Sequence, residues 1–297
     1  MPTRRQPRFG YSLVEVIVVV AILALLLGLT LPAVQKVRGT SARAVCANHL
    51  RQQGIALANH HAALGSLPNG KTPHRSTSHP DMAWLTRLLP YIEQDALWRQ
   101  AEAAYRAQPN WYDRPSIHPM ATVVRAYTCP ADDRLRQANM ARKKFLVAST
   151  SYIGVSGTTT RRKNGTFFSN SAVKFTDMTD GTSNTIVIGE RPPSVDFWFG
   201  WWYAGYGADG GGKGDMLLGT NDGGGGFDQY VLGCEPVGFV PGDFTKHCHS
   251  LHFWSLHPGG ANFAFGDGSV RFLKYTAANI LPALATRAGG ESTPLPD

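Results

Sequence analysis

The chain has 297 residues, enough for one large domain or two modest ones. Apolar residues make up 43% and charged residues 17%, a balance that excludes a disordered chain and permits a sizeable core. The formal charge is +8, but Arg4, Arg5 and Arg8 crowd the start. The rest holds no basic run beyond Arg142-Lys143-Lys144 and Arg161-Arg162-Lys163, so no nucleic-acid partner is expected.

The basic start is followed by Phe9-Gly10-Tyr11-Ser12-Leu13-Val14-Glu15 and then by an apolar run from Val16 to Leu31. A secretory signal carries its cleavage site after the apolar region and loses that region on processing. Here the glycine precedes it. The segment resembles the type IV prepilin leader, which implies that a prepilin peptidase cuts between Gly10 and Tyr11 and methylates the new N-terminus. Glu15 is the only ionisable residue in the apolar segment, and a carboxylate there needs a partner. The α-amino group of Tyr11, from the same chain or from a neighbouring subunit, is the expected one. Residues 13–31 span roughly 28 Å as a helix at ~1.5 Å per residue, close to the thickness of a bilayer's hydrocarbon core. The arginines before the span place the N-terminus in the cytoplasm and the remainder outside.

Beyond Pro32, the residues Val34, Val37, Ala44, Val45, Ile55 and Ala58 recur at helical spacing. The expectation is one long helix over about 11–62, in lipid over about 13–31 and packed on a globular domain thereafter, with Gly65, Pro68 and Gly70 closing it. A second helical pattern covers 82–106 and breaks at Pro90. From about 121 onward short β-prone runs follow: Thr122–Cys129, Ser151–Val155, Thr166–Phe168, Thr185–Glu190 and Val195–Tyr203. The glycine-dense stretch 205–226 reads as a long mobile loop. Near the end, Asp267-Gly268 reads as a two-residue hairpin turn that sets Phe265 opposite Val270 and Phe263 opposite Phe272. Helix first and sheet later make an α+β chain. The expected divisions are a leader at 1–10, the long helix at 11–62, and an extracytoplasmic domain at 63–297 with its hairpin at about 257–273.

Four cysteines in an extracytoplasmic domain permit disulfides. Cys234 and Cys248 close a short loop and are the expected bridge, which leaves Cys46 with Cys129. His247, His249, His252 and His257 invite a zinc test, although spacing alone is weak support and Cys248 has a competing use. Asp177, Asp180 and Asn184 surround a glycine-containing loop and are candidate calcium ligands, but Asp-Gly-Thr-Ser-Asn is also an ordinary turn sequence. No other metal or cofactor is expected. Gly205 to Gly210 matches a dinucleotide fingerprint and Gly207 to Lys213 nearly spells a P-loop, yet neither lies in a βαβ unit. No nucleophile elbow, His-Glu-x-x-His or carboxylate pair stands out, so a non-enzyme is expected. Trp198, Trp201, Trp202 and Tyr203 are either core or a binding platform for carbohydrate or protein.

His257-Pro258-Gly259-Gly260 precedes Asp267-Gly268 as His-x9-Asp-Gly, and the two ends are expected to be neighbours with an architectural role. With the leader, that motif resembles a large bacterial family of pseudopilin-like proteins, domain-of-unknown-function family 1559. Similar segments run through most of the chain: Cys46 to Gln52, Leu88 to Gln94, Tyr127 to Asp132, Asp180 to Thr185 and Ala283 to Glu291. The resemblance implies a pilin-like fold and a single-pass structural subunit of the bacterial inner membrane. It would serve a type II secretion or pilus-like assembly, with other pseudopilin subunits as partners. A membrane-tethered extracytoplasmic binding module is the alternative.

Overall fold

The structure is a computed structural model that describes residues 12–76, 78–222, 233–235 and 237–291. The chain divides into two compact units, residues 1–42 and 43–297. Helix α1, Leu13–Leu64, contributes to both. It ends where Gly65 takes a φ of 77° and its N–H returns to the His61 carbonyl, a left-handed stop that a side chain resists. In the first unit every described side chain from Leu13 to Leu31 is exposed.

In the second unit, Cys46, Leu50, Gln53, Leu57 and His60 of α1 are buried at intervals of three and four residues, the stripe that an amphipathic helix presents to a core. Helices α2 (Trp84–Leu88) and α3 (Asp95–Ala107) follow, parted by the Leu89–Tyr91 turn that contains Pro90. A small hairpin pairs β1 (Asn139–Ala141) with β2 (Phe145–Val147). The main sheet has five strands: β3 (Tyr152–Val155), β4 (Ile186–Glu190), β5 (Leu217–Leu218), β6 (Gly260–Phe265) and β7 (Val270–Lys274). Their order is β5-β3-β4-β6-β7, antiparallel except for the β3–β5 pair. A short helix α4, Leu281–Ala285, ends the described fold. The architecture is α+β, with a core on each face of the sheet. One gathers Cys46, Leu50 and Leu57 of α1 with Tyr152, Ile188 and Ala264; the other gathers Ile153, Phe263, Phe265 and Leu273 with Leu281 and Leu284 of α4.

Four local expectations change. The β6–β7 turn holds three residues: Phe265 N–H bonds to Ser269 O at 2.9 Å, Gly268 N–H bonds to Phe265 O at 3.0 Å, and Gly268 has φ 83°. The register therefore slips by one residue, pairing Ala264 with Val270 and Phe263 with Arg271. The Arg271 guanidinium consequently lies on the phenylalanine face, 4.6 Å from the Phe265 ring centroid. The runs 122–129, 166–168 and 195–203 form no regular strand, since Thr122–Cys129 holds only the short helical turn Arg125–Tyr127. Trp201 finds just an isolated bridge to Ser149. Residues 205–222 pack into the domain instead of forming a mobile loop, burying Lys213, Asp215, Met216 and Thr220 and supplying β5. Residues 223–226 of that stretch lie outside the described residues.

Candidate functional site

Gly10 and Tyr11 lie outside the described residues. Ser12 precedes the first turn of α1, and its N–H donates to Glu15 Oε2 at 2.7 Å while Glu15 N–H donates to Ser12 Oγ at 3.3 Å. This reciprocal pair is a capping box, which satisfies two N–H groups that a helix start leaves open. The sequence carries its signature, Ser-x-x-Glu. The box fixes the Glu15 carboxylate at the positive end of the helix, on the N–H of Ser12, the residue that follows Tyr11 in the sequence.

In the second unit, the His-x9-Asp-Gly motif takes an unexpected form. His257 and Asp267 are not neighbours. β6 lies between them and rises about 17 Å over its length at ~3.4 Å per residue. His257 turns into the core, held by its N–H to Ser255 Oγ at 3.0 Å, while Ser255 Oγ donates to Gly260 O at 2.7 Å. Its Nε2 lies 3.4 Å from Glu190 Oε1 and 3.5 Å from Cys129 Sγ. Glu190 also accepts the Asn262 N–H at 2.7 Å and Nδ2 at 3.0 Å. Cys129 is disulfide-bonded to Cys46 on α1, with their Cα atoms 5.3 Å apart. Nothing in the sequence pointed to Glu190, whose partner lies 67 residues further on.

At the other end of β6, Asp267 stays in the turn: its N–H reaches Thr182 O at 3.1 Å and its carboxylate accepts Ser269 N–H at 2.9 Å. Gly268 meets α1, because a Cβ on Gly54 would stand 3.5 Å from Gly268 Cα. Three residues before Cys46, Arg43 of α1 stacks over the Phe272 ring at 4.7 Å. The motif therefore frames a seat for the helix. His257 and Glu190 close one end against the Cys46–Cys129 bridge, and Gly268 closes the other against Gly54.

Ligand atoms of Cys46, Cys129, Glu190 and His257 all fall within 4.8 Å of one another, a set that would hold a soft metal only with the disulfide opened. The cavity that Cys129, Ser151, Glu190 and Ser255 enclose measures about 10 Å³, room for one water and not for a substrate.

The other candidates disperse. Cys234 bonds to Cys248. His249 Nδ1 faces His252 Nε2 at 2.6 Å, whereas His247 lies 3.5 Å from Asp196 and His257 belongs to the seat, so the four histidines do not converge. Asp177 accepts the Lys174 N–H at 2.8 Å. Asp180 accepts Gly289 N–H at 2.7 Å and Gly290 N–H at 2.9 Å, and Asn184 donates to Asp180 O at 3.0 Å. These three residues spend their polar groups on turns and on latching the Gly289-Gly290 segment. Trp202 and Tyr203 are core, Trp201 is buried and Trp198 half-buried.

Residues 5–31 match the prokaryotic N-terminal methylation motif, so the chain starts as type IV pilin-like proteins do. α1 is the one helix among the described residues long and apolar enough to cross a membrane. No curated protein and no solved structure matches the chain. Residues 35–279 match the family described as SBP_bac_10, protein of unknown function (DUF1559), and the chain belongs to that family.

Proposed function

We propose that the protein is a pseudopilin-like structural subunit of a type II secretion or type IV pilus-like assembly. It would be anchored in the bacterial inner membrane, with residues 1–10 cytoplasmic and the domain after α1 outside. The observation that carries this reading is the fully exposed apolar segment Leu13–Leu31 within the methylation motif, with Glu15 as its one charge. In water such a surface is unstable, and lipid or the equivalent helices of neighbouring subunits would cover it. A prepilin peptidase would free the Tyr11 amine after Gly10. That amine would form next to Ser12, whose N–H already holds Glu15, so the carboxylate is in place to meet an ammonium of its own or a neighbouring chain.

Two features of the second unit support a scaffold role. The buried pair of Glu190 with His257 closes the helix seat and leaves space for a single water. The bridge from Cys46 to Cys129 ties the membrane-proximal helix covalently to the domain, as a subunit under mechanical load needs.

Site-specific cross-linking between copies, through cysteines placed along 16–31 in native membranes, tests the assembly role. The wild-type chain should give ladders of multimers. Glu15→Val should insert and be processed normally but lose the ladder. Undiminished multimers from Glu15→Val contradict the assigned role of the carboxylate.

A further inference from the structure

The aromatic residues that the helix seat does not use converge elsewhere in the second unit. Trp111, Tyr112, Trp198, Trp201 and Tyr206 line a cavity of about 80 Å³ with Asp215. The rings meet at steep angles: Trp111 to Trp201 at 5.7 Å and 83°, Trp198 to Trp201 at 5.9 Å and 74°. They form walls instead of a stack. The cavity reaches the surface at Tyr112, which is 41% exposed, and at half-buried Trp198.

Two of the lining side chains carry buried polar atoms with no hydrogen-bond partner, Asp215 Oδ1 and Trp111 Nε1. Both residues are at least nine-tenths buried. The other carboxylate oxygen, Oδ2, accepts the Gly207 N–H at 2.6 Å, and the Gly200 N–H also favours the carboxylate, which fixes the side chain. A buried acceptor and a buried donor left open on two residues that line one cavity are costly unless something uses them. Burial raises the Asp215 carboxyl to about 7, so the group can both accept and donate near neutrality.

The charges around the cavity decide between ligand classes. The Arg142 guanidinium already stacks on Trp198 at 4.8 Å, and the Lys71 ammonium lies 5.9 Å from the Tyr206 ring. Arg191 Nη2 donates to the backbone oxygens of Gly214 and Asp215. All three cations are already engaged, Arg142 with Asp196 at 2.7 Å, Lys71 with Asp81 at 2.7 Å and Arg191 with the two carbonyls, so an anionic ligand finds no free counter-charge there. A neutral polyol needs none, offers hydroxyls to both open atoms and lays its C–H face on an aromatic ring.

We propose that this cavity is a binding site for a neutral saccharide. The edge of a sugar enters to meet Asp215 and Trp111, and its ring face rests on Trp198 and Tyr112. This goes beyond the assembly role and does not depend on it, because none of these residues belongs to α1.

The test uses the full chain in an oligo(ethylene glycol) ether detergent, which has no sugar headgroup. Calorimetry and tryptophan emission follow titration with cellohexaose, maltohexaose and chitohexaose, and with tetramethylammonium chloride as the contrast probe. At least one hexaose should bind saturably and shift the emission. Tyr112→Ala, at an exposed position that leaves the fold intact, should weaken that binding about two- to tenfold. Asp215→Asn should weaken it too, and if that variant does not fold, Tyr112→Ala and Trp198→Ala carry the test. No saturable binding of any hexaose at millimolar concentration overturns the proposal, as does binding indifferent to Tyr112→Ala and Trp198→Ala. Binding of tetramethylammonium alone makes the cavity a cation cage and also overturns it.

Discussion

Buried ionisable residues set how this domain responds to pH, and two of them pull in opposite directions. Burial pushes Asp215 up to about 7, above the ~4 of an aspartate in an unfolded chain. Folding therefore takes up a proton between those values, and stability falls as pH rises through them. Burial, helped by neighbouring His249, pushes His252 down to about 4, below the ~6.5 of an unfolded histidine. Folding then releases a proton, and stability is lost as pH falls through that window. Asp215→Asn should lose stability more steeply on acidification from about pH 7 to 4 than the wild type, and His252→Asn less steeply. Denaturant melts across that range check both slopes, and an unchanged slope in either variant contradicts its assignment. A third residue-scale outcome concerns His257, whose loss leaves the buried Glu190 carboxylate facing only Asn262 and a disulfide. His257→Ala should cost about 3–5 kcal/mol, and adding Glu190→Gln should recover part of it, because the stranded charge is gone. A double variant no better than the single one would show that Glu190 does not depend on His257.

At the scale of elements, the fold rests on how α1 is seated along β6 and β7. Gly54→Leu forces a side chain against Gly268 and should destabilise the domain by about 1–3 kcal/mol, whereas Gly39→Leu, with open space around it, should not. Cys46→Ala with Cys129→Ala should cost about 2–5 kcal/mol, as removal of a bridge over a long loop does. Melts of the three variants against the wild type decide whether the seat holds the helix. The helix and the hairpin were legible because each rests on a local period, 3.6 residues for Cys46, Leu50 and Leu57 and two residues for Phe263 and Phe265. The register was not, since Asp267-Gly268 fits a two-residue or a three-residue turn equally. The choice is made by Gly266, packed so closely under Met178 and Thr182 that a Cβ there would lie 2.6 Å from Met178 Sδ. Residues 195–203 misled for the opposite reason: their β-prone side chains are used for tertiary contacts, with Trp201 Nε1 donating to Phe197 O and Trp202 Nε1 to Thr122 O.

At the scale of the whole molecule, the leader and the apolar span could be read from the order of a few residue types. The Cys46–Cys129 pair could be read by elimination, but its meeting with Glu190 and His257 could not, because it joins positions up to 211 residues apart that no local rule relates. The same holds for Asp215 and Trp111. The proposed role requires that the chain is processed as a prepilin and keeps its apolar helix as an anchor. Mass analysis of the mature N-terminus, taken from membranes of cells that make the full chain, decides this. The mature chain should begin at Tyr11 and carry one methyl group on its amine, with Gly10→Val left as an unprocessed, membrane-bound precursor. A mature chain that begins after Ala33 would mean that the apolar segment is discarded, and would contradict that role.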